Sequence, residues 1–416
     1  MTEESIDGIK VNGRSYRKPT ARTVVICFDG CDPRYISHGL SAGLLPNISK
    51  ITSEGFFAIA DAAMPTFTNP NNMSIVTGAP PRVHGISGNY YLDKATGREV
   101  MITDASLVSS GTVLAALADA GMRVAAITAK DKLRKMLGSG LKGICFSSER
   151  AREATLKENG IDEVERLVGR PTPDMYSPDL SLFVLDAGIR LLETRRADVL
   201  YLSLSDMVQH SAGPGEELAD SFNREVDKRV GRMLELDAVV AIVADHGMTD
   251  KCTPDGQPQV VYLERALNDQ FGPSSVRVIC PITDPFVKHH GALGSFVRVY
   301  ATGSVPAQTL MDAAARIPGV ALVLDGASAA ARYEMPPEKE GDFIAVADTY
   351  TVIGSRPDEH DLTGLTGHRL RSHGGLSEQP VPFMLSRPLN ATYRAIGKNR
   401  RLRNFDIFDF ALNGTV

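Results

Sequence analysis

The chain alternates between short, continuous apolar runs and longer stretches with apolar residues every three or four positions. TVVICFDG (23–30) is the first such run. It is rich in β-branched residues and ends in Asp-Gly, the pattern of a strand buried on both faces. RVAAITAKD (123–131), ADVLYLSLSD (197–206) and LDAVVAIVADHG (236–247) repeat that pattern. Helical stretches lie between them: LPNISKITSEG, closed by Gly55, TVLAALADAGM before the second run, and SFNREVDKRVGRMLEL before the fourth. Strands alternating with helices predict an α/β fold, a mostly parallel central sheet with helices on both faces.

The texture changes near residue 253. TPDGQPQ is turn-rich, and SVRVICPI, GSFVRVYA and VALVLDG are short strand candidates, with the helical VPAQTLMDAAARI before the last. This predicts a smaller inserted α+β cap over 253–369. The core, 21–252, resumes over 370–416 with the apolar VPFMLS. Residues 1–20 are polar and predict an N-terminal arm or short hairpin. At about 100–200 residues per domain, 416 residues accommodate this plan.

Composition narrows the function. A net charge of −5 argues against a nucleic-acid partner, since such binders are usually basic. Tryptophan is absent and aromatics make up 6%, so a wall of stacked rings for bases or sugars is not expected. Five cysteines with no CxxC pair disfavour both a disulfide framework and a thiolate zinc site. No apolar run approaches membrane-spanning length, and MTEESIDGIK lacks a secretory layout. The expectation is a cytoplasmic protein with no membrane partner; a homodimer is left open.

Chemistry concentrates at the strand ends. Asp29 closes the first run, Asp206 the third, and Asp245 with His246 the fourth. Taken singly, each Asp is more simply a cap or turn residue. In open parallel sheets, however, ligands gather beyond the carboxyl ends of the strands, and three such ends are acidic here. His210 follows Asp206 by four residues, the spacing that puts both on one face of a helical turn. His373 lies before a Gly-Gly turn. Six mixed O/N ligands exceed what one tetrahedral ion uses, so two ions with about three protein ligands each are expected. Zinc suits this donor set, with manganese or iron as alternatives. His38, His84, His289, His290, His360 and His368 have weaker claims, although the His289-His290 pair could reach the site from the cap.

MPTFTNPNNMSIVTGAPPRVHGISGN (64–89) reads as a loop entering a helix. Thr66, Thr68, Ser74 and Thr77 are its candidate nucleophilic hydroxyls, and composition does not choose among them. Lys130 and Lys132 follow a strand and open a helix, where cations oppose the helix dipole. Their placement hints at an anionic ligand.

VVICFDG, the 64–89 block, the DxxxH at 206–210, Asp245-His246-Gly247 and His373-Gly374 occur in the order that marks the alkaline phosphatase superfamily. The pattern resembles its nucleotide pyrophosphatase/phosphodiesterase branch. The resemblance implies that Asp206, His210 and His373 hold one zinc and that Asp29, Asp245 and His246 hold the other, with Thr68 bridging to it as nucleophile. It also implies that Asn89 holds a non-bridging phosphoryl oxygen. The branch usually reads Thr-Phe-Pro-Asn-His where this chain has Thr68-Asn69-Pro70-Asn71-Asn72, which argues against a nucleotide substrate. TAKDKLRKMLG is similar to the members that cut a carbon–phosphorus bond. That likeness implies phosphonoacetate as a small-molecule substrate, with Lys130 and Lys132 on its carboxylate. A phosphodiesterase and a non-catalytic metal-binding protein are the competing readings.

Overall fold

The computed structural model describes residues 8–102, 104–284, 290–365 and 368–416. Its centre is an eight-stranded sheet. In spatial order the strands are Leu402–Arg403, Phe56–Asp61, Pro380–Leu385, Val239–Val243, Thr23–Cys27, Val199–Ser203, Val124–Thr128 and Ile144–Ser147. Pro380–Leu385 runs antiparallel to both neighbours, and every other pairing is parallel. The sheet is thus mostly parallel, as the alternation of runs predicts. The four middle parallel strands are buried along their whole length. That burial is why they read as unbroken apolar runs rather than alternating ones.

Helices cover both faces. Glu217–Glu235 buries Ala219, Phe222, Val226, Val230 and Met233, a stripe of three- and four-residue steps. That stripe packs against the helix Asp179–Glu193 and the strand Val239–Val243. The N-terminal segment forms a hairpin, Ile9–Val11 with Arg14–Tyr16, whose Tyr16 is buried in the main core.

A second layer has its own antiparallel sheet, ordered Val276–Ile279, Phe296–Ala301, Phe343–Ala347 and Val320–Asp325. Its core gathers Val278, Phe296, Val299, Leu310, Phe343 and Ile344, and it also takes in Met64 and Phe67 from the main chain segment. The segment carrying Thr68 is therefore pinned between the two layers. All five cysteines are free and buried. Among the described residues no helix is long and apolar enough to cross a membrane.

Candidate metal centre and substrate cleft

Register builds the site. Cys27 lies opposite Val243 on one side and Ser203 on the other, and Ser203 lies opposite Thr128. The four parallel strands therefore end level. Asp245, Asp29 and Lys130 each follow two residues beyond that line, and Asp206 three residues beyond it. Across the sheet edge the order is Asp245, Asp29, Asp206, Lys130. Asp206 immediately precedes the short helix Met207–Ser211, which returns His210 to it with Nε2 at 3.0 Å from Oδ2. His373 arrives from the turn after Arg371–Ser372, and its ring stacks on that of His246 at 3.6 Å.

The six residues fall into two triads of converging ligand atoms, Asp206/His210/His373 and Asp29/Asp245/His246. All six are buried. His210, His246 and His373 each direct Nδ1 at a backbone carbonyl, those of Arg371, Gly247 and Thr66, each at 2.8 Å. A carbonyl only accepts, so Nδ1 carries the proton and Nε2 is left to face the carboxylates. His246 Nε2 lies 3.3 Å from Asp29 Oδ1, and His373 Nε2 lies 3.7 Å from Asp206 Oδ2. Apart from the His246 ring, no group among the described residues donates a hydrogen bond to either oxygen of buried Asp29. Lone pairs facing carboxylates in a dry site are stabilised by a shared cation, so the residues fit a pair of divalent ions.

The charges respond to this crowding. Burial pushes Asp29 up to about 8, and the carboxylates of Asp206 and Asp245 push in the same direction. Burial would also raise Asp206, but the adjacent Lys130 and His210 hold it well below the usual carboxylate range. Lys130 in turn is raised above an ordinary lysine: burial alone would lower it, and Asp206 and Asp29 outweigh that. Its Nζ lies 3.0 Å from Asp206 Oδ1.

The structure separates the four candidate hydroxyls. Thr66 Oγ1 donates to the carbonyl of Gly375 at 2.9 Å and accepts from the Gly374 N–H. Thr77 donates to Met73 at 2.7 Å. Ser74 accepts from His84 Nε2 at 2.9 Å, because His84 Nδ1 is already taken by the Ile86 N–H. These three are fully buried. Thr68 alone is half-buried; it is the first residue of the helix Thr68–Thr77, with Oγ1 3.3 Å from His246 Nε2.

Thr68 opens onto a cleft of about 560 Å³, counting its mouth, with Asn69, Asn89, Lys130, Lys132, Leu133, Asp206, His210, Ile282, Asp284, His290 and His373. Lys132 pairs with Asp284 at 2.9 Å, so each lysine already holds a carboxylate. Asn89 is fixed by the second layer. Its N–H donates to Pro281 at 2.7 Å and its Nδ2 to Ile282 at 3.3 Å. The preceding loop is gripped by Arg298, which bonds Ser87 and the buried Glu340.

Among the weaker histidines, His290 lies in the cleft with its ring stacked on His210 at 5.0 Å. His289 lies outside the described residues. His38 pairs with Asp220, while His84 and His360 are held in local hydrogen bonds. Sequence reasoning missed Asp284, and it marked Asn69 and Asn72 only as departures from the branch pattern, with no place in the site. Asp284 carries no signal of its own in the turn after SVRVICPI. Of the two departures from the branch pattern, Asn69 lines the cleft, whereas Asn72 is wholly buried beneath it. The departure at 72 therefore does not bear on substrate.

A mostly parallel sheet whose acidic strand ends form paired O/N triads beside a hydroxyl defines a hydrolase of phosphorus compounds with the alkaline phosphatase fold. The chain belongs to the type I phosphodiesterase / nucleotide pyrophosphatase family, whose model matches residues 23–356. It is similar to the phosphonoacetate hydrolase of Sinorhizobium meliloti 1021, with 42% identity over 98% of this chain and 99% of that one and a TM-score of 0.92. That enzyme has been crystallised with phosphonoacetate and with phosphonoformate. A phosphonoacetate hydrolase of Penicillium oxalicum is 55% identical over 47 residues, which is 11% of this chain and 65% of that relative's length. Murine ectonucleotide pyrophosphatase / phosphodiesterase 5, at 18% identity over 95% of each chain and a TM-score of 0.62, shares the fold.

Proposed function

We propose that this chain hydrolyses the carbon–phosphorus bond of phosphonoacetate to acetate and phosphate, with Thr68 as nucleophile. The observation that carries the reading is the sharing of one cleft by the Thr68 hydroxyl, a ligand triad and two lysine ammonium groups. A phosphonate at one end of the substrate and a carboxylate at the other match that pairing. Two divalent ions in the triads, zinc first by donor chemistry, would lower the Thr68 hydroxyl pKa and neutralise the phosphonyl oxygens.

The Thr68 hydroxyl gives its proton to solvent, and Oγ attacks phosphorus to form a phosphothreonine as the P–C bond breaks. The bond's electron pair passes to the methylene carbon and spreads into the carboxylate as an enediolate. A carbanion is a very poor leaving group, so this charge governs the barrier. Lys130 and Lys132 are fixed where it develops and stabilise the transition state more than the ground state. Proton uptake from solvent gives acetate. Water then cleaves the Oγ–P bond, which releases phosphate and restores Thr68. Asn89 orients the phosphonyl group from the side held by the second layer.

The test is phosphate release from phosphonoacetate beside a panel of nucleotide diesters, before and after chelation and zinc return. Chelator-sensitive release from phosphonoacetate is expected. Cleavage of the diesters alone would overturn the proposal in favour of a phosphodiesterase.

A further inference from the structure

Asn72 lies on the helix that begins at Thr68, one turn beyond it, and has no exposed surface. Its amide makes four hydrogen bonds. Nδ2 donates to Asp245 Oδ2 at 3.1 Å and to the backbone carbonyl of Thr68 at 3.0 Å. Oδ1 accepts from the hydroxyls of Tyr201 at 2.7 Å and Ser203 at 2.8 Å. The orientation is not interchangeable. A carboxylate and a carbonyl only accept, so a flipped amide would set oxygen against both. The hydroxyls can adapt to either end, but the other pair cannot.

Three pieces of the centre therefore meet on one side chain. Tyr201 and Ser203 stand two residues apart on the strand that leads to Asp206, so they share its face. Asp245 belongs to one triad, and Thr68 carries the proposed nucleophile. Asp245 Oδ1 accepts from the N–H groups of Gly30 at 3.2 Å and His246 at 3.0 Å. With Asn72 on Oδ2, both oxygens are aimed by donors. Among the described residues, Asp29, its partner in the triad, has no backbone or amide donor on either oxygen.

We infer that Asn72 is a positioning residue that makes Asp245 the preset anchor of its triad and locks the Thr68 backbone to that anchor. It touches neither substrate nor the reacting atoms, and it acts through Asp245 and Thr68. This rests on the proposal that the triads hold divalent ions. Removing the outer partner of a metal ligand typically weakens metal affinity by about 10–100-fold. Asn72→Ala should do so at the Asp29/Asp245/His246 triad and leave the Asp206/His210/His373 triad within about threefold of wild type.

The measurement is equilibrium dialysis of the full chain against graded zinc, with bound metal counted by mass spectrometry and thermal stability read in parallel. Two sites are expected for wild type, with one weakened in Asn72→Ala. Asn72→Ala that is less stable but binds both ions as tightly as wild type would make the residue structural and sink the inference. Wild type that binds no zinc would sink the functional proposal instead. Should Asn72→Ala fail to fold, Tyr201→Phe decides. It removes one hydroxyl that aims the amide and should weaken the same site by about threefold or more, whereas two unchanged sites would refute the role.

Discussion

Lys132→Met isolates the stabilisation of the leaving group. Methionine keeps most of the stem beside Leu133 and removes only the ammonium. Lys132 is the cleaner lysine to change, because Lys130 also neutralises Asp206 in a ligand triad, while Lys132 pairs with Asp284 outside both triads. A fixed donor at a developing oxyanion is worth about 2.7–4 kcal/mol, or roughly 10²–10³ in kcat. Coulomb's law gives a similar scale, about 4 kcal/mol for unit charges at about 4 Å with an effective dielectric near 20. Asp284 loses its ammonium in any reaction the variant catalyses, so that penalty cancels when two substrates are compared. The assay sets phosphate release from phosphonoacetate against phenolate release from an activated aryl phosphate, whose leaving group needs no help. We expect kcat to fall by about 10²–10³ on the first and by no more than about threefold on the second. Equal losses would refute the reasoning and make Lys132 a general structural or metal-supporting residue. The pH profile is a second readout. Burial lowers the Lys132 pKa, Asp284 pulls it partly back and Lys130 lowers it again, with the net result below an ordinary lysine. The working form is protonated, so phosphonoacetate cleavage should fall as pH rises through that lowered value. Lys132→Arg should move this alkaline limb upward.

Thr68→Ala should abolish turnover on both substrates while retaining two zinc equivalents by elemental analysis; parallel loss of metal would make Thr68 a structural ligand. His84, fully buried, is lowered to about 3 by burial and by Lys339. The unfolded chain therefore binds the extra proton first. This contribution to stability is complete above about pH 6.5 and fades by up to about tenfold in the folding constant per pH unit down to about pH 3. Urea midpoints across that range should show a shallower acid slope in His84→Gln, and an unchanged slope would remove His84 as the cause. Lys251 and Glu378 form an ion pair with no exposed surface, 2.9 Å apart, next to the segments carrying His246 and His373. Lys251→Met leaves a buried carboxylate and should cost about 3–5 kcal/mol in urea unfolding; a loss under about 1 kcal/mol would show that Thr249, Ser377 and the Gly375 N–H suffice for Glu378.

The parallel core was legible because its strands are buried on both faces, so hydrophobicity alone marks them. Their level ends turn isolated Asp residues into a row, and that row is visible as soon as the runs are aligned on their last apolar residue. Strands with mixed environments were not legible. Phe56–Asp61 is mostly half-buried, with Ala60 alone buried and Phe57 open to solvent. Pro380–Leu385 is almost wholly buried, so its VPFMLS was legible as core, but its two prolines, which sequence rules disfavour inside a sheet, hid it as a strand. Both precede Phe383, where its pairing with Val239–Val243 begins. Among the hydroxyls, helix phase decided which one faces the cleft, and composition carries no phase. The roles of Asn72 and Asp284 depend on partners 129 and 152 residues away in sequence, Tyr201 and Lys132, which no local pattern records.

The antiparallel strand Pro380–Leu385 has a further consequence for how the chain comes together. It fills the slot between Phe56–Asp61 and Val239–Val243, so any fragment stopping short of it keeps a gap in mid-sheet. Such a fragment presents two raw strand edges to one another and to neighbouring chains, the arrangement that invites aggregation. A fragment ending before residue 373 lacks His373 as well. The strand that closes the sheet and the last ligand of the triad thus lie in one short stretch, residues 373–385, and truncating the chain ahead of residue 373 should abolish both together.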